Sequence, residues 1–513
     1  MLPEFRNELL VDFSCPENRA AFEEALAGVK AAAGRRYPVV IGGERIEEGE
    51  TFVSVNPADT SQVLGEFTKG TKETAQRAVE AAAEKFLQWR RVDPFERARI
   101  LLKAAHIMRR RKHELSACMV MEVSKNWVEA DADVSEAIDF LEFYAREMMR
   151  LALPQPVVGY PGEENELYYI PLGVAAVIPP WNFPCAILVG MTSAALVAGN
   201  TVVLKPASTA PLTGWKFFEI MEQAGLPEGV LNFLPGPGGA IGDTIVDHPK
   251  TRLIAFTGSK EVGLRICERA AKRQPGQMWI KRTILEMGGK DFILVDDDAD
   301  LEAAADGIYA SAFGFQGQKC SACSRAIVHE KVYDDLLTKV VERVERMKVG
   351  PPENPENYMG AVIDRAAFDK ILSYIEIGRQ EGRLVTGGGK GPEGGWFIEP
   401  TVFADVAGNA RIAQEEIFGP VLAFIKCRTF DEGVAIANST EYGLTGALYS
   451  NNRHHLETGR RELHVGNLYF NRKCTGALVG VQPFGGFNMS GTCLLYTSPS
   501  PRDLSTSRMP SSA

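Results

Sequence analysis

A chain of 513 residues that is 45% hydrophobic and 24% charged can bury a large core, and it is too long for one compact domain. Its formal net charge of −10 argues against nucleic acid as a general partner, and the one basic run, Met108-Arg109-Arg110-Arg111-Lys112, reads as a solvated helix face. Nine irregularly spaced cysteines point to reduced thiols and not to a disulfide framework.

The N-terminus, Met1-Leu2-Pro3-Glu4-Phe5-Arg6, carries acid early and lacks the basic stretch and apolar core of an export signal, so the expected location is cytoplasmic. Residues 1–150 read as helix-rich, with amphipathic spacing over 71–89 and 94–123. From 171 to 296 short apolar runs alternate with helical patterns. Strands are expected at 174–178, 202–204, 231–234, 253–256 and 283–285, with helices over 185–199 and 212–224 and another opening near Gly258. Gly225 and Pro227 close the helix from Leu212. This alternation predicts a parallel sheet covered by helices. The apolar run 185–199 is interrupted by Thr192 and Ser193 and is shorter than the roughly 18 residues of a membrane span, so no membrane partner is expected.

A second alternating stretch, with strands at 292–295, 326–328, 402–403 and 421–424, predicts a second α/β domain. A cleft between the two domains is then the natural site. From Cys493 the chain turns rich in serine, threonine and proline, a composition that buries no core, and 493–513 is expected to be a disordered, non-native tail.

Three segments carry chemistry. Cys320 lies in Phe315-Gln316-Gly317-Gln318-Lys319-Cys320-Ser321-Ala322-Cys323, and Glu286 lies upstream in Leu285-Glu286-Met287-Gly288-Gly289-Lys290. A thiolate adds to a carbonyl carbon to form a covalent intermediate, and a carboxylate activates the water that releases it. Pro179-Pro180-Trp181-Asn182-Phe183-Pro184 holds an asparagine amide on a restricted backbone. Aimed at a carbonyl oxygen under attack, that amide and the Cys320 N–H would form an oxyanion hole. The competing reading is a non-catalytic protein using Cys320 and Cys323 for thiol sensing or zinc. The seven histidines offer no spacing that would complete a zinc site, so no metal is expected.

Together with Lys205-Pro206-Ala207, Phe256-Thr257-Gly258-Ser259, Glu416-Ile417-Phe418-Gly419-Pro420 and Pro483-Phe484-Gly485-Gly486, these segments resemble the aldehyde dehydrogenase superfamily from about Phe5 to Thr492. Within it the chain is most similar to the bacterial branch that oxidises glutamate semialdehyde to glutamate in proline degradation. That finer match rests on Gly317 to Arg325, Thr475-Gly476-Ala477-Leu478-Val479-Gly480 and Phe5-Arg6-Asn7-Glu8. A dehydrogenase for another aldehyde is the alternative.

The resemblance implies a Rossmann-type cofactor domain over 1–290 with an inserted oligomerisation segment near 150–170. It further implies an α/β catalytic domain over 291–480 and an oligomerisation element starting at 481–492, so a homo-oligomer is expected. Cys320 would be the nucleophile, Glu286 the base and Asn182 the oxyanion donor. NAD would be held by Lys205, Ser208, Gly258, Ser259, Gly263, Glu416 and Phe418. NAD-restricted relatives often carry glutamate where this chain has Ser208, so NADP would also be tolerated. Ser321 with the amides of Gly476 and Ala477 would bind the substrate carboxylate, and Phe183 and Phe484 would line the pocket. The run Gly236-Pro237-Gly238-Gly239-Ala240-Ile241-Gly242 places its last glycine one position too late for a dinucleotide fingerprint.

Overall fold

The apolar runs between 171 and 296 are too short for helices and lie between Gly and Pro punctuation, and each becomes a strand. In the computed structural model, which describes residues 2–492, they form most of a seven-stranded sheet. Its order is Arg282–Glu286, Thr251–Thr257, Val174–Ile178, Thr201–Leu204, Leu231–Phe233, Val39–Ile41 and Glu44–Ile46. The first five strands are parallel. The last two form an antiparallel hairpin turned by Gly42 and Gly43, whose φ values of 63° and 95° only glycine adopts at little cost.

Val174–Ile178 pairs with Thr201–Leu204 on one side and Thr251–Thr257 on the other, so the winding direction reverses there. Ligands in such sheets bind beyond the carboxyl ends at this reversal. The segments that leave these carboxyl ends are the Asn182 loop and Gly258-Ser259.

A second seven-stranded sheet has the order Arg383–Thr386, Thr401–Ala404, Val421–Cys427, Cys323–His329, Asp291–Val295, Thr445–Tyr449 and Asn467–Phe470. It is parallel except at its first edge. The short link 287–290 joins the end of one sheet to the start of the other, placing Glu286 and Asp291 on the two sides of the junction.

The N-terminal region departs from expectation in one part. The helix-rich reading holds for most of it, and the unexpected part is a separate three-stranded sheet, Arg35–Tyr37, Asp59–Thr68 and Thr51–Asn56. The 94–123 pattern divides into Pro94–Arg110 and Lys112–Val123. The break is at Arg111, whose guanidinium is drawn to Glu114 and Glu219. The 71–89 helix forms as Lys72–Trp89, with Thr71 and Thr74 making a reciprocal capping box. Helix Trp127–Leu151, started by Asn126, packs on Pro94–Arg110 and on Ala186–Val197.

Residues 153–170 leave this body as an irregular arm closed by a single bridge between Gln155 and Leu167, with Val158, Tyr160 and Ile170 exposed. Within the run 481–492, Phe487–Asn488 pairs with Tyr442–Gly443, and 490–492 lies on the edge strand Arg282–Glu286. The expected tail, 493–513, lies outside the described residues. Among those described, no helix is long and apolar enough to cross a membrane.

Candidate active site

Helix Leu301–Phe313 ends at Gly314, and the chain then takes three successive left-handed residues, Phe315 (φ 49°), Gln316 (φ 58°) and Gly317 (φ 66°). Non-glycine residues occupy that region at a cost, so the turn persists because its surroundings hold it. Gln316 Nε2 donates to the carbonyls of Ser124 (2.9 Å) and Ala361 (2.8 Å), and the Ile363 N–H donates to Gln318 Oε1 (2.9 Å). Lys319 Nζ reaches Glu129 at 2.7 Å. These anchors leave Cys320 displayed ahead of strand Cys323–His329.

The Cys320 sulfur accepts the Ser321 N–H, while burial, followed by the carboxyl groups of Asp291, Glu286 and Glu416, holds the thiol well above its ordinary range. Glu286 ends strand Arg282–Glu286, is 3% exposed, and has no hydrogen-bond partner on either oxygen; burial pushes its carboxyl far up. Asn182 is buried and donates from Nδ2 to the Gln318 carbonyl at 3.0 Å, which leaves it a second N–H. The Cys320 N–H has no acceptor among the described residues. Gly289 sits so close to the Cys320 carbonyl that no Cβ would fit between them. The structure therefore brings the thiol, the acid and the amide to one junction.

On the cofactor side, Lys205 follows strand Thr201–Leu204, is 4% exposed, and donates to the Pro206 carbonyl at 2.8 Å; burial lowers its ammonium to about 8. Ser208 donates to the Gly236 carbonyl at 3.0 Å, joining the loops after two neighbouring strands. Ser259 caps helix Lys260–Ala271 through Val262 N–H, leaving an exposed helix start at the carboxyl edge of the sheet. Two of the glycines expected at the cofactor make close contacts within the chain. The Gly258 N–H donates to the Glu286 carbonyl at 3.0 Å and is not available to a pyrophosphate. Gly263 is buried against the Met287 side chain, so its lack of a Cβ serves helix–strand packing. Glu416 accepts the Gly289 N–H at 3.0 Å, and Phe418, at φ 61°, meets Trp181 edge to face at 5.6 Å; neither is the strand residue an isolated Glu-Ile-Phe would suggest.

Of the substrate residues, Ser321 is buried, and its carbonyl accepts from the Cys474 thiol at 3.5 Å. Gly476 takes φ 78°, and neither its N–H nor that of Ala477 has an acceptor among the described residues. Phe484 is partly buried against the larger core. Phe183 stands over Lys125, whose Nζ lies 4.0 Å from its ring centre and 4.6 Å from that of Phe315. Lys125 in turn pairs with Asp133 at 2.8 Å in full burial. Sequence reasoning missed this cation, the Glu129–Lys319 pair and Glu136, which burial raises to about 8. All but Lys319 come from 125–136, where a helical pattern gives no sign of the distant loops they meet. Cys323, three residues on, is buried and hydrogen-bonds Cys474.

A thiol, a carboxyl and an amide lie together where the two sheets join, and comparison with known proteins gives the family. The model of the aldehyde dehydrogenase family matches residues 45–495. The chain belongs to the aldehyde dehydrogenase family. It is 60% identical over 492 residues to a 1-pyrroline-5-carboxylate dehydrogenase of Geobacillus, covering 96% of each chain. Its fold is similar to that of the 1-pyrroline-5-carboxylate dehydrogenase from Thermus solved with bound NAD, with a TM-score of 0.95 at 53% identity, covering 97% of this chain and 96% of that one. It is also similar to proline utilization A from Bdellovibrio bacteriovorus, with a TM-score of 0.95 at 47% identity, covering 97% of this chain and 52% of that longer one. This aldehyde dehydrogenase thus shares sequence and fold with relatives across nearly its whole length.

Proposed function

We propose that this aldehyde dehydrogenase oxidises L-glutamate γ-semialdehyde, the open form of 1-pyrroline-5-carboxylate, to L-glutamate with NAD, as a step of proline degradation. The observation that carries the reading is the meeting of Cys320, the unpaired Glu286 carboxyl and the Asn182 amide beside a loop that presents two free N–H groups, Gly476 and Ala477. High identity to named 1-pyrroline-5-carboxylate dehydrogenases supports the choice of substrate.

The chemistry of the residues follows from their surroundings. Cys320, half-buried, must give up to solvent a proton that its surroundings favour keeping, and the thiolate sulfur then adds to the aldehyde carbon. The developing oxyanion is met by the free Asn182 N–H and the Cys320 N–H. Lys205, Ser208, Ser259, Glu416 and Phe418 line the path for NAD, which when bound supplies the hydride acceptor. Glu286 deprotonates water for thioester hydrolysis, and burial makes it a stronger base than a solvated carboxylate. Ser321 and the amides of Gly476 and Ala477 hold the substrate carboxylate. The exposed apolar arm at 153–170 supports assembly with further copies of the chain.

The test is NADH formation from glutamate semialdehyde compared with pentanal. Losing the carboxylate leaves the anchor donors unpaired, at about 1–3 kcal/mol each, so pentanal is expected to fall by at least tenfold in kcat/KM. Equal efficiency on both substrates would discard the semialdehyde reading and keep the family chemistry.

A further inference from the structure

The expected carboxylate anchor, Gly476 and Ala477, belongs to no helix or strand; it lies on the loop that follows strand Asn467–Phe470. The near end of this loop is tied to the catalytic segment by the Cys474 thiol, which donates to the Ser321 carbonyl at 3.5 Å. Arg472 Nη2 adds bonds to the carbonyls of Thr475 (3.4 Å) and Gly476 (2.6 Å).

The far end is held from the opposite end of the sequence. Asn7 Nδ2 donates to the Val479 carbonyl at 3.0 Å and to Asp139 Oδ2 at 2.8 Å, and the Glu8 N–H donates to Asp139 Oδ1 at 2.7 Å. Val479 is 4% exposed. Gly480 then turns at φ 75° against two rings: a Cβ there would stand 3.1 Å from Phe143 and 3.2 Å from Phe5, and those rings meet edge to face at 5.4 Å. The asparagine carboxamide thus bridges helix Trp127–Leu151, through Asp139, to the anchor loop.

Two backbone amides bind a carboxylate well only if they converge, and in an irregular loop that convergence is set by how the ends are fixed. We propose that the N-terminal strap 5–8 is a positioning device for the carboxylate anchor, and that Asn7, which need not touch substrate, sets the preference for a carboxylate-bearing aldehyde by fixing the loop at Val479. This inference rests on the substrate reading above. Asn7 is suited to the task because one NH2 group serves two acceptors; the isosteric Asn7→Asp would remove both donors and set a carboxylate against Asp139.

The experiment compares full-length wild type, Asn7→Ala, Asn7→Asp and Phe5→Leu on glutamate semialdehyde and on pentanal at saturating NAD. Asn7→Ala is expected to raise KM for glutamate semialdehyde about tenfold, with kcat and the efficiency on pentanal held within about twofold; Asn7→Asp shifts further in the same direction. Phe5→Leu, which loosens the packing on Gly480 and keeps the polar contacts, is expected to show about a threefold shift, and it carries the test if the Asn7 variants do not fold. An unchanged ratio between the two substrates in a folded variant overturns the proposal, as does an equal loss on both, which is the mark of a merely structural strap. A wild type that handles pentanal as well as glutamate semialdehyde overturns the substrate reading and the strap with it. Wild-type discrimination retained in the variants overturns the strap alone.

Discussion

At Cys320, which is half-buried, the loss of hydration disfavours the thiolate, the form of a cysteine that adds to a carbonyl. The carboxyl groups of Asp291, Glu286 and Glu416 act in the same direction, and the Ser321 N–H is the one contact that opposes them. A raised thiol pKa means less thiolate at any given pH, so modification should slow at neutral pH and climb as pH rises. We therefore expect iodoacetamide to alkylate Cys320 slowly near pH 7 in the protein without NAD. Its rate should rise about tenfold per pH unit through the alkaline range, followed by mass spectrometry of the Cys320 peptide. Fast, pH-independent labelling near neutrality would mean that the thiolate is already formed and that burial has been overweighted. Cys320, Glu286 and Asn182 could be singled out in the sequence because each sits in a short, strongly punctuated segment, and their roles are the reading proposed above. The opposing electrostatics were not, because Asp291 and Glu416 act across sheet junctions that sequence spacing does not reveal.

At the level of elements, the edge strand Arg282–Glu286 is completed by residues 490–492. Thr492 N–H donates to the Leu285 carbonyl at 2.9 Å, its hydroxyl accepts the Leu285 N–H at 2.9 Å, and the Met287 N–H donates to the Ser490 carbonyl at 2.8 Å. Gly491 is bridged to Glu286, and a Cβ there would lie 3.1 Å from both Glu286 Oε1 and the Leu285 carbonyl. A side chain at 491 would press directly on the Glu286 carboxyl. Gly491→Val should displace the base and leave Cys320 untouched, giving a burst of NADH followed by a steady state slowed at least about tenfold, with acyl-enzyme visible by intact mass. A loss of the burst together with the steady state would show that the substitution damages acylation, and that Gly491 does not act through Glu286. Strands such as Val174–Ile178 and helices such as Pro211–Ala224 could be read from apolar runs and glycine stops. The break at Arg111 could not, since it carries no Gly or Pro and follows from guanidinium contacts to Glu114 and Glu219. Nor could the strands at 35–68, whose partners include residues far along the chain, as in the pairing of Val40 with Phe233.

Over the whole molecule, alternating strand and helix sufficed to predict two mainly parallel sheets covered by helices, because each run was long enough to show its period. Where the two sheets meet, and which backbone amides remain free there, depended on contacts made far apart in sequence. Gly258 illustrates this: the family resemblance suggested a place at the cofactor phosphates, and its N–H is taken by the carbonyl of Glu286. Cofactor choice is a whole-molecule property too, since binding NAD to the folded state alone raises thermal stability by mass action, about 2.7 kcal/mol at a hundredfold excess over Kd. Ser208 lets that linkage be divided. Its hydroxyl ties the loop after Thr201–Leu204 to the Gly236 carbonyl, so Ser208→Glu loses the tether for both cofactors. The new carboxylate, by contrast, opposes only a 2′-phosphate, at about 1 kcal/mol for charges 4 Å apart in water and more where water is excluded. The stabilising shift in melting temperature should therefore shrink modestly with NAD and much more with NADP in this variant. Cys320→Ala should keep both shifts, because it alters the nucleophile and leaves the cofactor sheet intact. Equal reductions with the two cofactors in Ser208→Glu would place the 2′ position away from Ser208 and leave its bond to Gly236 as its whole role.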